Sequence, residues 1–183
     1  KVFAGSVNHE LVASFVAAGA RAVGLTGIDA VLAEAEPMDE ALGAVGRLVR
    51  SDGGLLRVLT ANRYLPVVAC VAGDRQGRIY NVNADQMAAA CACGFSADRL
   101  YFLTDVDGVR DSSGSILPRL TVAESEGLIR DGVATGGMQA KLTAVIEALR
   151  AGIGEVVIAG GGVAGITAKL LSGDGNGTRC FLN

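Results

Sequence analysis

A mixed α/β fold with a mainly parallel sheet is predicted for this chain of 183 residues and 18.5 kDa. Three observations predict it. Strand-length apolar runs recur at residues 65–71, 100–103 and 155–158, the pattern of strands buried on both faces of a parallel sheet. Helical periodicity fills the intervals between them. Strand and helix alternate along the whole length, with no internal repeat and no low-complexity linker.

The elements follow in order. Residues 1–18 read as a helix already under way, with Val2, Phe3, Val7, Leu11, Val12, Phe15 and Val16 near one face. Lys1 has no cap before it and no cleavage pattern follows, so the segment reads as helix rather than signal peptide. The chain is expected to begin partway through a natural protein. Gly19 ends the helix, and residues 22–25 form a short buried strand. Between Val31 and Arg50, Pro37 and Gly43 break the pattern. The pairs Val31-Leu32 and Leu48-Val49 predict small strands or a hairpin. A helix over 53–63 turns Leu55, Leu56 and Leu59 inward. After the run at 65–71, residues 73–77 are a turn and 78–80 a short returning strand. A helix is expected from about Ala84 to Gly94, then the strand at 100–103 and a turn at 111–114. Thr121 and Glu124 form a capping box that opens a helix to about Arg130. Gly136 and Gly137 precede a helix over 138–151 with Leu142, Val145, Ile146 and Leu149 on one stripe. The strand at 155–158, a helix near 165–172 and a strand at 178–182 complete the pattern.

Composition bounds the function. Half the residues are apolar, 19% are charged and the mean hydropathy is +0.41, which excludes a disordered chain and predicts a large core or a surface that meets another chain. No apolar run reaches the ~18 residues of a membrane span. A net charge of -3 and a pI near 5.2 give no broad attraction for nucleic acid or anionic lipid. With no Trp, 3 Tyr and 5 Phe, an aromatic stacking surface is not expected. One histidine, His9, rules out a multi-His metal site. Cys70, Cys91, Cys93 and Cys180 include no C-x-x-C pair and read as reduced, buried, cytosolic thiols. Lysine occurs only at positions 1, 141 and 169, so Lys141 and Lys169 each invite a question.

Three segments lie where an α/β sheet places its ligands, beyond the carboxyl ends of strands. In the first, Asn81, Asn83 and Asp85 sit at alternate positions where a helix begins. Either amide can cap the helix and Asp85 suits its dipole. Amides can equally hold a carboxylate, and an aspartate can orient a lysine. In the second, Thr104 to Val109 forms a small polar loop that fits a nucleotide edge and also an ordinary Asp-Gly turn. In the third, Gly136 and Gly137 enter a helix whose free N–H groups can hold phosphate, and Lys141 can reach back over that end. This is not a Walker A loop. Gly160-Gly161-Gly162-Val163-Ala164-Gly165 matches the dinucleotide pattern, but the acidic residue expected about 20 positions later is missing. It reads as a glycine-rich strand-to-helix turn. Asp105 and Asp107 alone do not make a metal site, and no metal ligands are assigned.

Together and in this order, the segments resemble the amino acid kinase family. The residues that carry the resemblance are 4–8, 22–27, 80–86, 103–109 and 136–141, and it spans most of 1–152. It is nearest to the members that phosphorylate the γ-carboxylate of N-acetyl-L-glutamate with ATP in arginine biosynthesis. The resemblance implies a three-layer α/β/α sandwich on an open, mainly parallel sheet with small antiparallel hairpins. It implies one domain over 1–183 lacking its N-terminal third. Residues 1–80 would be the remainder of the amino-acid-substrate half and 81–183 the nucleotide-binding half.

The resemblance also implies roles. Lys141 would stabilise the transferring phosphoryl group and Asp85 would organise the lysines. Asn81 would hold the substrate carboxylate and Asn83 would help line the site. ATP, with its Mg²⁺, would contact Thr104, Asp105, Val106, Asp107, Gly108, Val109 and Arg110, then Val133, Ala134, Thr135, Gly137 and Met138. A cytoplasmic homo-oligomer is implied, a dimer through an apolar helix interface. The chemistry suits the composition: a carboxylate nucleophile, with a pKa of about 4.3, is already ionised at pH 7 and needs no general base. Phosphoryl transfer needs positioning and charge stabilisation instead. Three features depart from the family pattern. Its N-terminal lysine, glycine-triplet loop and substrate-gripping arginine have no counterpart in 1–183. Val7-Asn8-His9 stands where the family has Val-Asn-Lys. Gly160-Gly161-Gly162 replaces a more polar stretch. Other readings are a family member acting on aspartate, glutamate or an aminoadipate derivative, and a non-catalytic nucleotide or amino-acid sensor of the same fold.

Overall fold

The computed structural model describes residues 2–183, the side chain of Glu40 excepted. Lys1, where the first helix was expected to begin, lies outside the described residues. The chain forms two compact units, residues 1–96 and 97–183.

In the first unit a π-helical turn, Phe3–Val7, leads into α1, Asn8–Ala17. Strand β1 (Ala22–Thr26) pairs in parallel with β4 (Leu65–Ala69). A second sheet, of order β3-β2-β5-β6, contains β2 (Ala33–Pro37), β3 (Gly46–Ser51), β5 (Val71–Gly73) and β6 (Ile79–Asn81). The expected hairpin between 31 and 50 is β2 and β3, antiparallel with a register shift at Glu34/Ala35. Helices α2 (Gly54–Ala61) and α3 (Ala84–Phe95) complete this unit. Its core joins Leu32, Ala33, Ala35, Leu56, Ala72, Tyr80, Val82 and Met87.

Strand β1, expected to be buried, is only half-buried, and two further expectations fail here for physical reasons. The run at 65–71 is two short strands, and β4 is only half-buried, because among the described residues it pairs with β1 alone. The stripe on the first helix does not enter a core. Val2, Phe3, Leu11, Phe15 and Val16 are all exposed, and the one buried residue of α1 is polar. That residue, Asn8, donates from Nδ2 to the carbonyl of Val67 at 2.9 Å and so fastens α1 to β4. Periodicity gave the helix and its apolar face, but not which face meets the sheet.

The second unit is built on one sheet of order β7-β9-β10-β8. Its strands are β7 (Arg99–Thr104), β8 (Arg119–Thr121), β9 (Glu155–Gly160) and β10 (Thr178–Phe181). Strand β7 pairs with β9, and β8 with β10, in parallel; β9 and β10 run antiparallel. Residues 156–159 of β9 are at most 1% exposed, so this strand is buried on both faces as its apolar run predicts. Val157 and Ala159 pack with Leu170 of α6 (Ile166–Ser172). Helix α4 (Val122–Arg130) opens with the predicted capping box, and α5 (Gly136–Arg150) buries Leu142, Val145, Ile146 and Leu149. Glu155 lies between Arg99 of β7, at 3.3 Å, and Arg179 of β10, at 2.7 Å, which ties three strands together by charge.

Candidate functional site

In the first unit the candidate residues follow β6 into α3. Tyr80 and Val82 are buried while Asn81 and Asn83 are exposed, so alternation turns both amides to the outside. Strand β6 is held on both sides of Asn81. Asn81 pairs with Val71 across the antiparallel ladder, and its N–H donates to the carbonyl of Ala44 at 2.8 Å. The Tyr80 hydroxyl donates to Asp74 Oδ2 at 3.2 Å. Burial pushes the Asp74 carboxyl up, but the Arg78 N–H and guanidinium, the Gln76 N–H and the Tyr80 hydroxyl outweigh it and hold it below the usual range.

Asn83 is the N-cap of α3: its Oδ1 accepts from the N–H groups of Asp85, at 2.9 Å, and Gln86, at 3.1 Å. Its carbonyl oxygen is committed to the helix, and the amide Nδ2 carries the donors that suit a carboxylate. Asp85 is half-buried in the first turn.

In the second unit the polar loop leaves the carboxyl end of β7. Thr104 Oγ1 donates to Asp105 Oδ1 at 2.9 Å, and the carbonyl of Thr104 accepts from the Gly161 N–H at 2.7 Å. Asp105, Asp107 and Arg110 are exposed, Val106 is half-buried, and Gly108 and Val109 are buried. The Arg110 guanidinium donates to the carbonyl of Gly114 at 2.7 Å across the tip of the hairpin that follows. The glycine run at 160–162 has a packing role: a Cβ on Gly160 would lie 2.6 Å from Asp107 Oδ1. The bare backbone at the end of β9 therefore lets Asp107 lie across it.

Lys141 stands early in α5, with Nζ 5.1 Å from the centroid of the Phe102 ring on β7. The two glycines make the helix start open. A Cβ on Gly136 or Gly137 would meet nothing within 4 Å, and Gly136 has φ +54°, where L side chains are strained. The preceding loop is fixed by the N–H groups of Val133 and Ala134, which both donate to the carbonyl of Leu128. Ala134 is buried, Thr135 is the N-cap residue without a side-chain cap bond, and Met138 is half-buried. This is an exposed helix N-terminus of 15 residues with a lysine near it, which suits an anionic group.

A cavity of about 670 Å³ lies at the carboxyl end of β9. Asp107 is the one expected nucleotide contact that lines it; residues 133–138 and Lys141 do not. Sequence reasoning missed Asp174, Asn176 and Arg179 here, and noted Lys169 only as a rare lysine. Their signal is the glycine-spaced loop Gly173-Asp174-Gly175-Asn176-Gly177 ahead of β10, which reads as an ordinary turn until the sheet order places it beside β9. Among the described residues no three His, Cys, Asp or Glu side chains group as metal ligands, and no helix is long and apolar enough to cross a membrane.

Comparison with known proteins extends this geometry. Residues 1–160 match the profile of the amino acid kinase family. The acetylglutamate kinase of Solibacter usitatus is 63% identical over 98% of this chain, and that of Koribacter versatilis is 44% identical over 86%. The matched parts are 70% and 61% of those relatives' lengths. The crystal structure of the Streptococcus mutans protein smu.665 superposes with a TM-score of 0.84 at 25% identity, covering 100% of this chain and 69% of that one. Parallel strand pairs with a polar loop at the end of β7, a glycine-led helix bearing Lys141, and a family match over most of the length agree: the chain belongs to the amino acid kinase family.

Proposed function

We propose that the protein to which this chain belongs phosphorylates the γ-carboxylate of N-acetyl-L-glutamate with ATP, giving an acyl phosphate for arginine biosynthesis. The observation that carries this reading is the 63% identity over 98% of the chain with a relative that bears that activity in its name. In the reaction a carboxylate oxygen forms a bond to the γ-phosphorus, the bond from that phosphorus to the β,γ-bridging oxygen breaks, and ADP departs. No proton moves, so the reaction needs no general base.

The roles follow the chemistry of the groups. Asn81 and the Nδ2 of Asn83 donate to the substrate. Asp85 organises cationic side chains. Lys141 and the N-terminus of α5 hold charge on the transferring phosphoryl group. The loops at 104–110 and 133–138 hold ATP, whose Mg²⁺ arrives with the nucleotide. The exposed apolar face formed by Phe3 of the π-helical turn and Leu11, Phe15 and Val16 of α1 is the surface through which two copies associate in the cytoplasm.

The test is ATP-dependent acyl-phosphate formation, trapped as the hydroxamate, by the full-length protein. N-acetylglutamate is expected to give hydroxamate well above aspartate, glutamate or an aminoadipate derivative. Preference for one of those reassigns the substrate within the family. Nucleotide binding without turnover of any carboxylate overturns the enzyme in favour of a sensor.

A further inference from the structure

Thr178, on β10, is fully buried. Its hydroxyl has both of its strong hydrogen-bonding roles filled by backbone far away in sequence. It accepts from the Val109 N–H at 2.8 Å and donates to the Leu117 carbonyl at 2.7 Å. Those two residues flank the hairpin in which Arg110 bridges to Ile116, and they bond to each other through the Leu117 N–H and the Val109 carbonyl at 2.8 Å. One hydroxyl therefore ties both sides of the hairpin's neck to the sheet. The neck directly follows the loop at 104–110.

The packing around the hydroxyl is close on the loop side. A Cβ on Gly108 would lie 2.8 Å from Thr178 Oγ1 and 3.0 Å from Ile116 Cγ2, so the loop backbone rests against Thr178 with no room for a side chain. One residue earlier, Asp107 lies over the bare backbone of Gly160. The loop is thus gripped from two strands: β10 through Thr178 and β9 through Gly160. Gly177 and Arg179, the neighbours of Thr178, line the same 670 Å³ cavity as Asp107. Thr178 stands in the wall behind them, where its hydroxyl cannot meet a ligand.

We infer that Thr178 is a positioning residue for the nucleotide loop, setting Asp107 and Gly108 through its hydrogen bonds to Val109 and Leu117. The inference rests on the kinase reading above. A hydroxyl that only stabilised the fold would lower apparent kcat through loss of folded protein and leave both KM values unchanged. A hydroxyl that positions this loop acts on ATP alone.

Thr178→Val keeps the shape and removes the hydroxyl; Thr178→Ser keeps the hydroxyl and removes the methyl. Steady-state kinetics of the full-length protein are expected to show KM for ATP raised about tenfold in Thr178→Val, as loss of a buried hydrogen bond implies. Thr178→Ser should stay within about twofold of wild type, and KM for the carboxylate substrate should be unchanged in both. An unaltered ATP KM in Thr178→Val, or equal rises for both substrates, overturns the inference. Should Thr178→Val fail to fold, Thr178→Ala decides, because it removes the same hydroxyl without touching the loop residues themselves. A raised ATP KM with unchanged carboxylate KM supports the inference, and an unchanged ATP KM overturns it. Wild-type protein that transfers no phosphoryl group to any carboxylate is a distinct result and overturns the kinase reading itself.

Discussion

Strand β9 in residues 97–183 and strand β4 in residues 1–96 carry similar apolar runs, yet they are buried differently. Strand β9 has a partner on each side, and its residues 156–159 are almost fully inaccessible. Strand β4 has one partner among the described residues and lines an apolar cavity of about 370 Å³ with Phe3, Val7, Leu11, Met87 and Cys91. The helices repeat the contrast: α5 buries six residues, whereas α1 buries only Asn8. The second unit closes its own core. The first leaves apolar surface exposed on α1 and the turn before it, and an apolar cavity beside β4. A sequence pattern thus reports what a strand or helix is able to bury, while the neighbours decide whether it does.

Truncation should separate the two regions most strongly. Leu142→Ala, at a fully buried position in α5, is expected to cost about 2–5 kcal/mol by denaturant titration. Leu11→Ala, at a position 47% exposed, should stay within about 0.5 kcal/mol in a monomer. A large loss at Leu11 under monomeric conditions would mean that α1 is covered from within the chain, and would break the contrast. Next in size is Lys141→Ala, expected to lower kcat at least ~100-fold while ATP affinity changes much less. An unchanged kcat would remove Lys141 from the reaction.

The helix caps offer a finer comparison, one in each unit. Thr121→Ala dismantles a capping box and Asn83→Ala removes an N-cap, and each should cost about 1 kcal/mol in chemical denaturation. Only Asn83→Ala should also raise KM for the carboxylate substrate. Equal kinetic silence in both would leave Asn83 a cap and nothing more.

The smallest effect is one of pH. Burial pushes the Cys91 thiol in the first unit up to about 11 and the Cys180 thiol in the second up to about 12. An unfolded thiol ionises near 8.5, so above that pH the unfolded chain gives up protons that the folded chain retains. Stability should be insensitive to these groups below about pH 8.5 and fall as pH rises toward 11 and 12. Melting temperatures at pH 8 and pH 10 should show the decline, and Cys91→Ala with Cys180→Ala should reduce it. No difference in slope between wild type and the double variant would contradict the burial of these thiols.

The legible part of the fold was the part governed by local rules. The capping box at Thr121 and the β2–β3 hairpin follow from residue types at fixed spacings, but of the three runs expected to be buried on both faces only β9 is: β7 buries Phe102 alone, and β7 and β4 each have one strand partner among the described residues. Strand β8 did not announce itself, because three residues that follow Pro118 and end on the helix cap Thr121 carry too little pattern. Among the candidate site residues, Asn83 has the capping role its position allowed. Asp107 gains its place from Gly160, which the sequence offered only as part of a dinucleotide-like run. Arg179 and Asn176 were invisible in the sequence because β10 reaches the cavity by antiparallel pairing with β9, a long-range fact. Thr178 was invisible for the same reason: both of its partners are more than 60 residues away.

The two units also divide the proposed labour, with the carboxylate on Asn81 and Asn83 in the first and the nucleotide on the loops and α5 of the second. The most direct test is the pair of KM values of Asn81→Ala in the full-length protein. KM for N-acetylglutamate should rise about tenfold or more, while KM for ATP stays within about twofold of wild type. A rise in the ATP KM alone, or no change in either, would contradict the division.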